Sequence, residues 1–149
     1  RPFLDVPLIS TFVSNSKLIM HLLHHILTKY PCSCIIVIAT WVLCFIPIPE
    51  TPLSDIRFID KWTHSVIYLV LGVSICLEYI RTTKYPSPSF IVGWVWFVPL
   101  LMGGLIEILQ SYCTNGNRSG EWLDFFADSL GSTIALIIGI LLVRYRTKA

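Results

Sequence analysis

Charged residues are scarce in this 149-residue chain, and their scarcity limits the class of protein it can be. Asp, Glu, Lys and Arg make up 13% of the residues, whereas hydrophobic residues make up 54%. Soluble domains carry about 25% charged residues, so the composition excludes an ordinary soluble enzyme and a disordered chain. The net charge of +2 is too small for nucleic-acid binding. A single-domain integral membrane protein remains.

The five cysteines form no closed disulfide framework, because their number is odd. Cys32 and Cys34 form a C-x-C pair, but no second pair follows to complete a zinc site. Cys44 and Cys76 lie in apolar runs, which predicts that they are small packing residues. We therefore assign no chemistry to the cysteines.

Four stretches with almost no charge predict four transmembrane helices, since a membrane helix needs about 20 mainly apolar residues. The four helices are expected near 32–48, 62–80, 90–110 and 124–144, with proline-rich segments between spans. The third contains Pro99, where a kink is tolerable if neighbouring helices satisfy the freed carbonyl. The predicted fold class is an all-α, polytopic membrane helix bundle.

The predicted membrane domain covers 32–144, with a basic cytoplasmic tail at 145–149 and an N-terminal segment at 1–31. Apolar residues recur near helical spacing over 16–30, which predicts a short amphipathic helix at the inner membrane interface. Metal binding by its histidines is the weaker hypothesis, because two of them are adjacent and point apart. The chain does not begin with Met, so Arg1 is not expected to be the native start. Met20 is an alternative start, in which case 1–19 would come from upstream sequence.

The distribution of Lys and Arg predicts the orientation, because these residues are enriched in cytoplasmic loops. Eight of them fall on the side that holds both termini and the 81–89 loop, against three on the other side. We therefore expect cytoplasmic termini, with the loops 49–61 and 111–123 facing outward. Seven of the nine acids lie in or near those outward loops.

Polar residues in three segments form one-faced stripes at helical spacing. Asp60, His64 and Tyr68 are four residues apart, and Lys61 borders the same stripe. The other segments contribute Glu107 and Gln110, then Arg118, and finally Asp124, Asp128 and Gly131. The predicted topology places all of them at one depth on the outward side. Ionisable groups there tend to face the bundle interior and pair, which predicts one shared site.

Simpler roles compete for some of these charges. Asp60 and Asp124 could have no role beyond anchoring the helix ends or favouring the helix N-termini through the macrodipole. Four other charged residues of the outward loops are expected to be solvated, namely Glu50, Asp55, Arg57 and Glu121. Gly131 would let another helix or a ligand approach closely.

The residue types of the shared site favour proton transfer. The candidate general acid–base residues are His64, Asp60, Glu107 and Asp124. His64 is the first candidate, because imidazole titrates near neutrality. The candidate substrate-binding residues are Lys61, Tyr68, Gln110, Arg118 and Asp128, with Lys61 and Arg118 suited to phosphate or carboxylate. The carboxylates and His64 could hold a divalent cation such as Mg²⁺ or Mn²⁺, a secondary hypothesis because no compact metal motif is present.

At these residues the sequence resembles the VanZ-like family of small bacterial membrane proteins. The family pattern reads D-K-x-x-H-x-x-x-Y-x-x-L, then E-x-x-Q, an Arg, and D-x-x-x-N-x-x-G. The matching positions are Asp60, Lys61, His64, Tyr68, Leu71, Glu107, Gln110, Arg118, Asp124, Asp128 and Gly131. The resemblance covers about 47–143 and departs from the pattern where Asp128 replaces Asn.

The resemblance implies a location in the bacterial cytoplasmic membrane and a role in the cell envelope, linked to glycopeptide resistance and notably to teicoplanin. It supplies no reaction. Three functions compete: an enzyme acting on a lipid-linked envelope substrate, a non-catalytic binder of a lipid or antibiotic, and a small proton-coupled transporter. Transport ranks last, because four helices are few for alternating access unless the chain forms a homo-oligomer.

Overall fold

The computed structural model describes residues 6–46, 58–113 and 121–148, except for the side chains of 6–14 and 113. Within these ranges every regular element is helical and no strand occurs, so the all-α prediction is confirmed. The helices are α1 (Val6–Lys29), α2 (Pro31–Phe45), α3 (Ile59–Thr82), α4 (Pro88–Ile91), a π-helical segment (Val92–Phe97), α5 (Val98–Cys113) and α6 (Trp122–Lys148).

Three described helical stretches are long and apolar enough to cross a membrane, namely Ile59–Thr82, Pro88–Tyr112 and Trp122–Lys148. They coincide with the second, third and fourth predicted spans. The first predicted span is shorter than expected, because α2 ends at Phe45 after 15 residues. At 1.5 Å per residue, α2 is about 22 Å long, against about 30 Å for the hydrocarbon core.

The N-terminal segment is helical, as predicted, and bends sharply into α2. Residues 15–29 of α1 meet α2 at 102°, and the two helices qualify as a span only when they are taken together as one bent element. Pro31 occupies the first turn of α2, where its missing N–H is tolerated. The apolar side chains of α1 are largely exposed, including Leu18, Leu22 and Ile26.

Glu78 of α3 holds the beginning of α2. Its carboxylate accepts hydrogen bonds from the backbone N–H groups of Cys32 at 2.7 Å and Ser33 at 3.2 Å, and from the Ser33 hydroxyl at 2.5 Å. The first N–H groups of a helix have no partner within the helix, and the positive end of the helix dipole favours an anion there. Glu78 therefore fixes α2 against α3.

The helix irregularity expected at Pro99 is a π-helical segment that ends two residues before the proline. Proline cannot donate to the carbonyl four residues earlier, and the backbone widens over Val92–Phe97, so that the N–H of Val98 donates to the carbonyl of Gly93. Single π turns inside helices are a common way to absorb such a residue. The span continues into α5 without a break in sequence.

Helices α3 and α6 form the most extensive contact of the bundle. Their close approach depends on Gly131, because a Cβ there would overlap the backbone carbonyl of Ser65 and lie 3.0 Å from the nitrogen of Leu69. Towards the opposite end, an apolar cluster fills the space between the helices; it contains Cys76, Tyr79, Ile91, Val95, Ala135 and Val143. Cys44 and Cys76 are both buried, as their predicted packing role requires.

Candidate functional site

The polar residues meet where α3 begins, α5 ends and α6 begins, a region we call the acidic end. Here the structure brings together five of the described acids, namely Asp60, Glu107, Glu121, Asp124 and Asp128, with Lys61 and His64 between them. Arg118, another predicted site residue, lies outside the described residues. The convergence of α3, α5 and α6 matches the arrangement that the predicted topology required.

His64 and Asp128 form a direct pair across the α3–α6 interface. Nδ1 of His64 lies 2.9 Å from Oδ1 of Asp128, and their side chains are only 12% and 2% exposed. When Asp128 is ionised and the imidazole is neutral, Nδ1 donates to Asp128 and Nε2 is left as an acceptor. One turn away, the Ser65 hydroxyl donates to the carbonyl of Ala127 at 2.8 Å and fixes the register of the two helices.

Lys61 is the centre of an ion-pair network at the mouth of the acidic end. Its Nζ lies 2.7 Å from Oδ1 of Asp124 and 2.6 Å from Oε2 of Glu121, with Oδ2 of Asp60 at 3.4 Å. The prediction that Glu121 is a solvated loop charge is therefore wrong in part: its side chain is 46% exposed, but it pairs with Lys61. The first turn of α6 is tied to the first turn of α3.

Glu107 and Gln110 lie on the inner face of α5, as their spacing predicted, and both are buried. Oε2 of Glu107 accepts a hydrogen bond from the backbone N–H of Glu121 at 2.8 Å, at the start of α6. Nε2 of Gln110 donates to the carbonyl of Cys44 at 2.8 Å and so connects α5 to α2. These bonds give both residues a structural role in addition to any contact with substrate.

Tyr68 is the innermost residue of the predicted stripe and is 2% exposed. Its hydroxyl makes no well-aligned hydrogen bond within the described part of the chain. The Tyr68 hydroxyl and Oδ2 of Asp128 both face Gly103 of α5, where an added Cβ would lie 3.1 Å and 2.6 Å from them. Gly103 therefore makes the space that these two polar groups occupy.

Exposure falls steadily along the stripe from the mouth of the site to its floor. The Asp60 side chain is 49% exposed, that of Lys61 20%, that of His64 12%, and Tyr68 is almost completely buried. Eight residues of helix separate Asp60 from Tyr68, which is about 12 Å. We call this polar interior of the acidic end the shaft, with Asp60 at its rim and Tyr68 at its floor.

Two grooves with mainly apolar walls flank this shaft. One, of about 270 Å³, lies between α5 and α6; its lining includes Glu107, Glu121, Gly104, Trp122 and Phe125. The other, of about 320 Å³, lies between α3 and α6; its lining includes Lys61, Phe58, Trp62, Phe126 and Leu130. Each groove therefore combines apolar walls with an ionisable group, a combination suited to an amphiphile.

Sequence reasoning missed three residues that shape the site, namely Ser65, Gly103 and Glu121. Gly103 precedes Glu107 by four residues, so helical periodicity places it on the same face as the acid. The four-residue spacing to Glu107 could therefore have identified Gly103 as a site residue from the sequence. The contacts of Ser65 and Glu121 depend on how α3 and α6 are aligned, which the spacing within one helix does not reveal.

No protein-family model matches the chain, and no curated protein or solved structure matches it either. The function of the site must therefore be inferred from the geometry of its residues. An Asp128–His64 pair with Nε2 left as an acceptor can take a proton from a hydroxyl or a water molecule. The carboxylates around it can hold a cation, and the two grooves can hold apolar chains.

Proposed function

We propose that this protein is a membrane enzyme that acts on a lipid-linked cell-envelope substrate, with His64 as the general base. The observation that carries the proposal is the 2.9 Å contact between His64 and Asp128, buried inside an apolar bundle. Asp128 orients the imidazole and stabilises the imidazolium formed when Nε2 accepts a proton. A charge pair with only an anchoring role would gain nothing from this depth.

The two grooves support an amphiphilic substrate. Each has aromatic and aliphatic walls suited to hydrocarbon, and each borders the polar shaft through Glu107 or Lys61. A lipid chain in either groove would place its headgroup near the mouth of the shaft. Lys61 offers a positive charge there for a phosphate or carboxylate, in competition with its present partners Asp124 and Glu121.

The acidic end is proposed to face the outside of a bacterial cytoplasmic membrane. When α1 and α2 are taken together as one bent span, both termini lie on one side, and the excess of Lys and Arg there supports this orientation. The resemblance of the motifs to the VanZ-like family supports an envelope role connected with teicoplanin resistance. Both parts of this proposal concern location and physiology and are independent of the chemistry at His64.

Cysteine labelling tests the orientation. We expect Asp55→Cys and Asn115→Cys, each in a background without native cysteines, to react with a membrane-impermeant thiol reagent added to intact cells. Lys84→Cys is the matched control and should react only after the cells are opened. The opposite pattern would place the acidic end in the cytoplasm and overturn the orientation.

A non-catalytic binder is the second candidate, and one observation favours it. Lys61 and Glu107 are already engaged within the chain, whereas the grooves beside them need no free charge to hold an apolar chain. Such a protein would capture a lipid or the lipid part of an antibiotic without changing it.

Untargeted mass spectrometry of envelope lipids from cells with and without the protein separates these candidates. The enzyme proposal predicts that one lipid class is depleted and a related species accumulates when the protein is present. A binder would leave the composition unchanged while retaining lipid through purification. Unchanged composition together with teicoplanin susceptibility equal to that of cells lacking the protein would contradict both.

A further inference from the structure

We propose that the acidic end binds a divalent transition-metal cation, with His64, Glu107 and Asp128 as its protein ligands. One ligand atom from each of these residues lies within 4.8 Å of the other two. They come from three different helices, so a bound ion would join α3, α5 and α6 at one point. The inference concerns ion binding alone: an Nε2 that coordinates the ion has no lone pair for a proton, so the ion-bound form is distinct from the form in which His64 acts as the general base.

The charge balance of the cluster favours the binding of a cation. Lys61 pairs with Asp124, Glu121 and Asp60, but within the described ranges no Lys or Arg pairs with Glu107 or Asp128. Both of these acids are buried, at 8% and 1% exposed. Buried carboxylates without a positive partner are costly, especially among membrane helices. A divalent ion would supply the charge that His64 alone does not.

Two buried polar groups point independently to a ligand at this position. Oε1 of Glu107 has no hydrogen-bond partner in the described structure, although Oε2 of the same group caps α6. The Tyr68 hydroxyl also makes no well-aligned hydrogen bond there, although it shares the space beside Gly103 with Oδ2 of Asp128. Buried polar groups are nearly always satisfied. An ion at the floor of the shaft, with a bound water, would use both groups.

A second set of potential ligands shares His64 but fits less well. Asp60, His64 and Asp124 also offer atoms within 4.8 Å of one another. Asp124 is committed to Lys61 at 2.7 Å, and Asp60 is largely solvated. The ammonium of Lys61 would repel a cation placed there. Among the described residues no Lys or Arg pairs with the acids of the inner set, so the ion is assigned to Glu107, Asp128 and His64.

The donor types indicate the class of ion. Mg²⁺ and Ca²⁺ prefer all-oxygen sites, whereas an imidazole with carboxylates suits Mn²⁺, Fe²⁺ and Zn²⁺. We therefore expect Mn²⁺ and Zn²⁺ to bind more tightly than Mg²⁺. Asp128 can bind the ion directly or orient the imidazole through Nδ1 while Nε2 coordinates, as metal-bound histidines are often held.

Calorimetry and electron paramagnetic resonance with MnCl₂ test the site on the purified full chain, without a polyhistidine tag and after removal of metal with EDTA. We expect one saturable site whose spectrum shows nitrogen coupling from an imidazole. Glu107→Gln and Asp128→Asn should weaken binding by at least about tenfold. Glu78→Gln is the matched control, because its carboxylate lies at the far end of α3, and it should bind as the unchanged protein does.

Metal binding can also be measured without a variant, through the thermal stability of the unchanged protein. A bound ion stabilises the folded state by mass action, so MnCl₂ or ZnCl₂ should raise the melting temperature more than MgCl₂ does at equal concentration. Absence of saturable binding, or a spectrum with oxygen coordination only, would overturn the site even if the variants failed to fold. Binding that disappears when the histidines of α1 are replaced by alanine would also overturn it.

Discussion

Gly131→Ala is expected to destabilise the protein more than the same substitution at any other described glycine. The new Cβ would overlap the carbonyl of Ser65 and press on the nitrogen of Leu69. Both atoms are backbone, so no side chain can rotate away, and α3 and α6 must separate. Overpacking costs about 1–3 kcal/mol and occasionally more, and we expect the upper end here. Thermal unfolding in detergent measures the loss.

Gly93→Ala is the matched control, because a Cβ at Gly93 meets no atom within 4 Å. Its melting temperature should stay close to that of the unchanged protein. Gly131→Ala should also disturb the site, since α3 carries His64 and α6 carries Asp128. Equal melting temperatures for the two variants would show that α3 and α6 do not pack as described.

His64→Ala is expected to abolish the effect of the protein on envelope lipids while leaving it folded. The imidazole is the only side chain in the described part of the acidic end that pairs with a carboxylate through one ring nitrogen and has a second ring nitrogen for proton transfer. General acid–base catalysis contributes about 10²- to 10⁴-fold, so the rate of lipid conversion should fall by at least about a hundredfold. Lipid mass spectrometry of cells producing the variant measures this.

His21→Ala provides the matched control, since His21 is exposed on α1. That variant should convert lipid at an unchanged rate. Normal conversion by His64→Ala would remove the histidine from the mechanism, and retained lipid capture without conversion in the unchanged protein would favour the binder.

Much of the fold follows from the distribution of apolar residues along the chain. The charge-free runs predicted the helices α3, α5 and α6, because membrane helices are selected for length and hydropathy. The first span was predicted too long, since the run up to Pro49 contains no charge, yet α2 ends at Phe45. Hydropathy measures where a chain can be buried, whereas the end of a helix depends on local backbone geometry.

The residues of the site were predictable from helical spacing, but their pairing was not. Spacing placed His64, Glu107 and Asp128 on inward faces of their helices. It did not show that His64 meets Asp128, or that Lys61 is engaged by Glu121. Those contacts depend on the relative register of α3 and α6, which is set by Gly131 and by the Ser65–Ala127 hydrogen bond.

The central claim is that the buried site at the acidic end converts an envelope lipid. The most direct test incubates purified protein in vesicles made from the total envelope lipids of cells that lack it, and follows the lipid masses over time. We predict that one species declines while a product appears, and that His64→Ala vesicles show neither change. Lipid masses that stay constant with folded, unchanged protein, both without added metal and with MnCl₂, would contradict the claim.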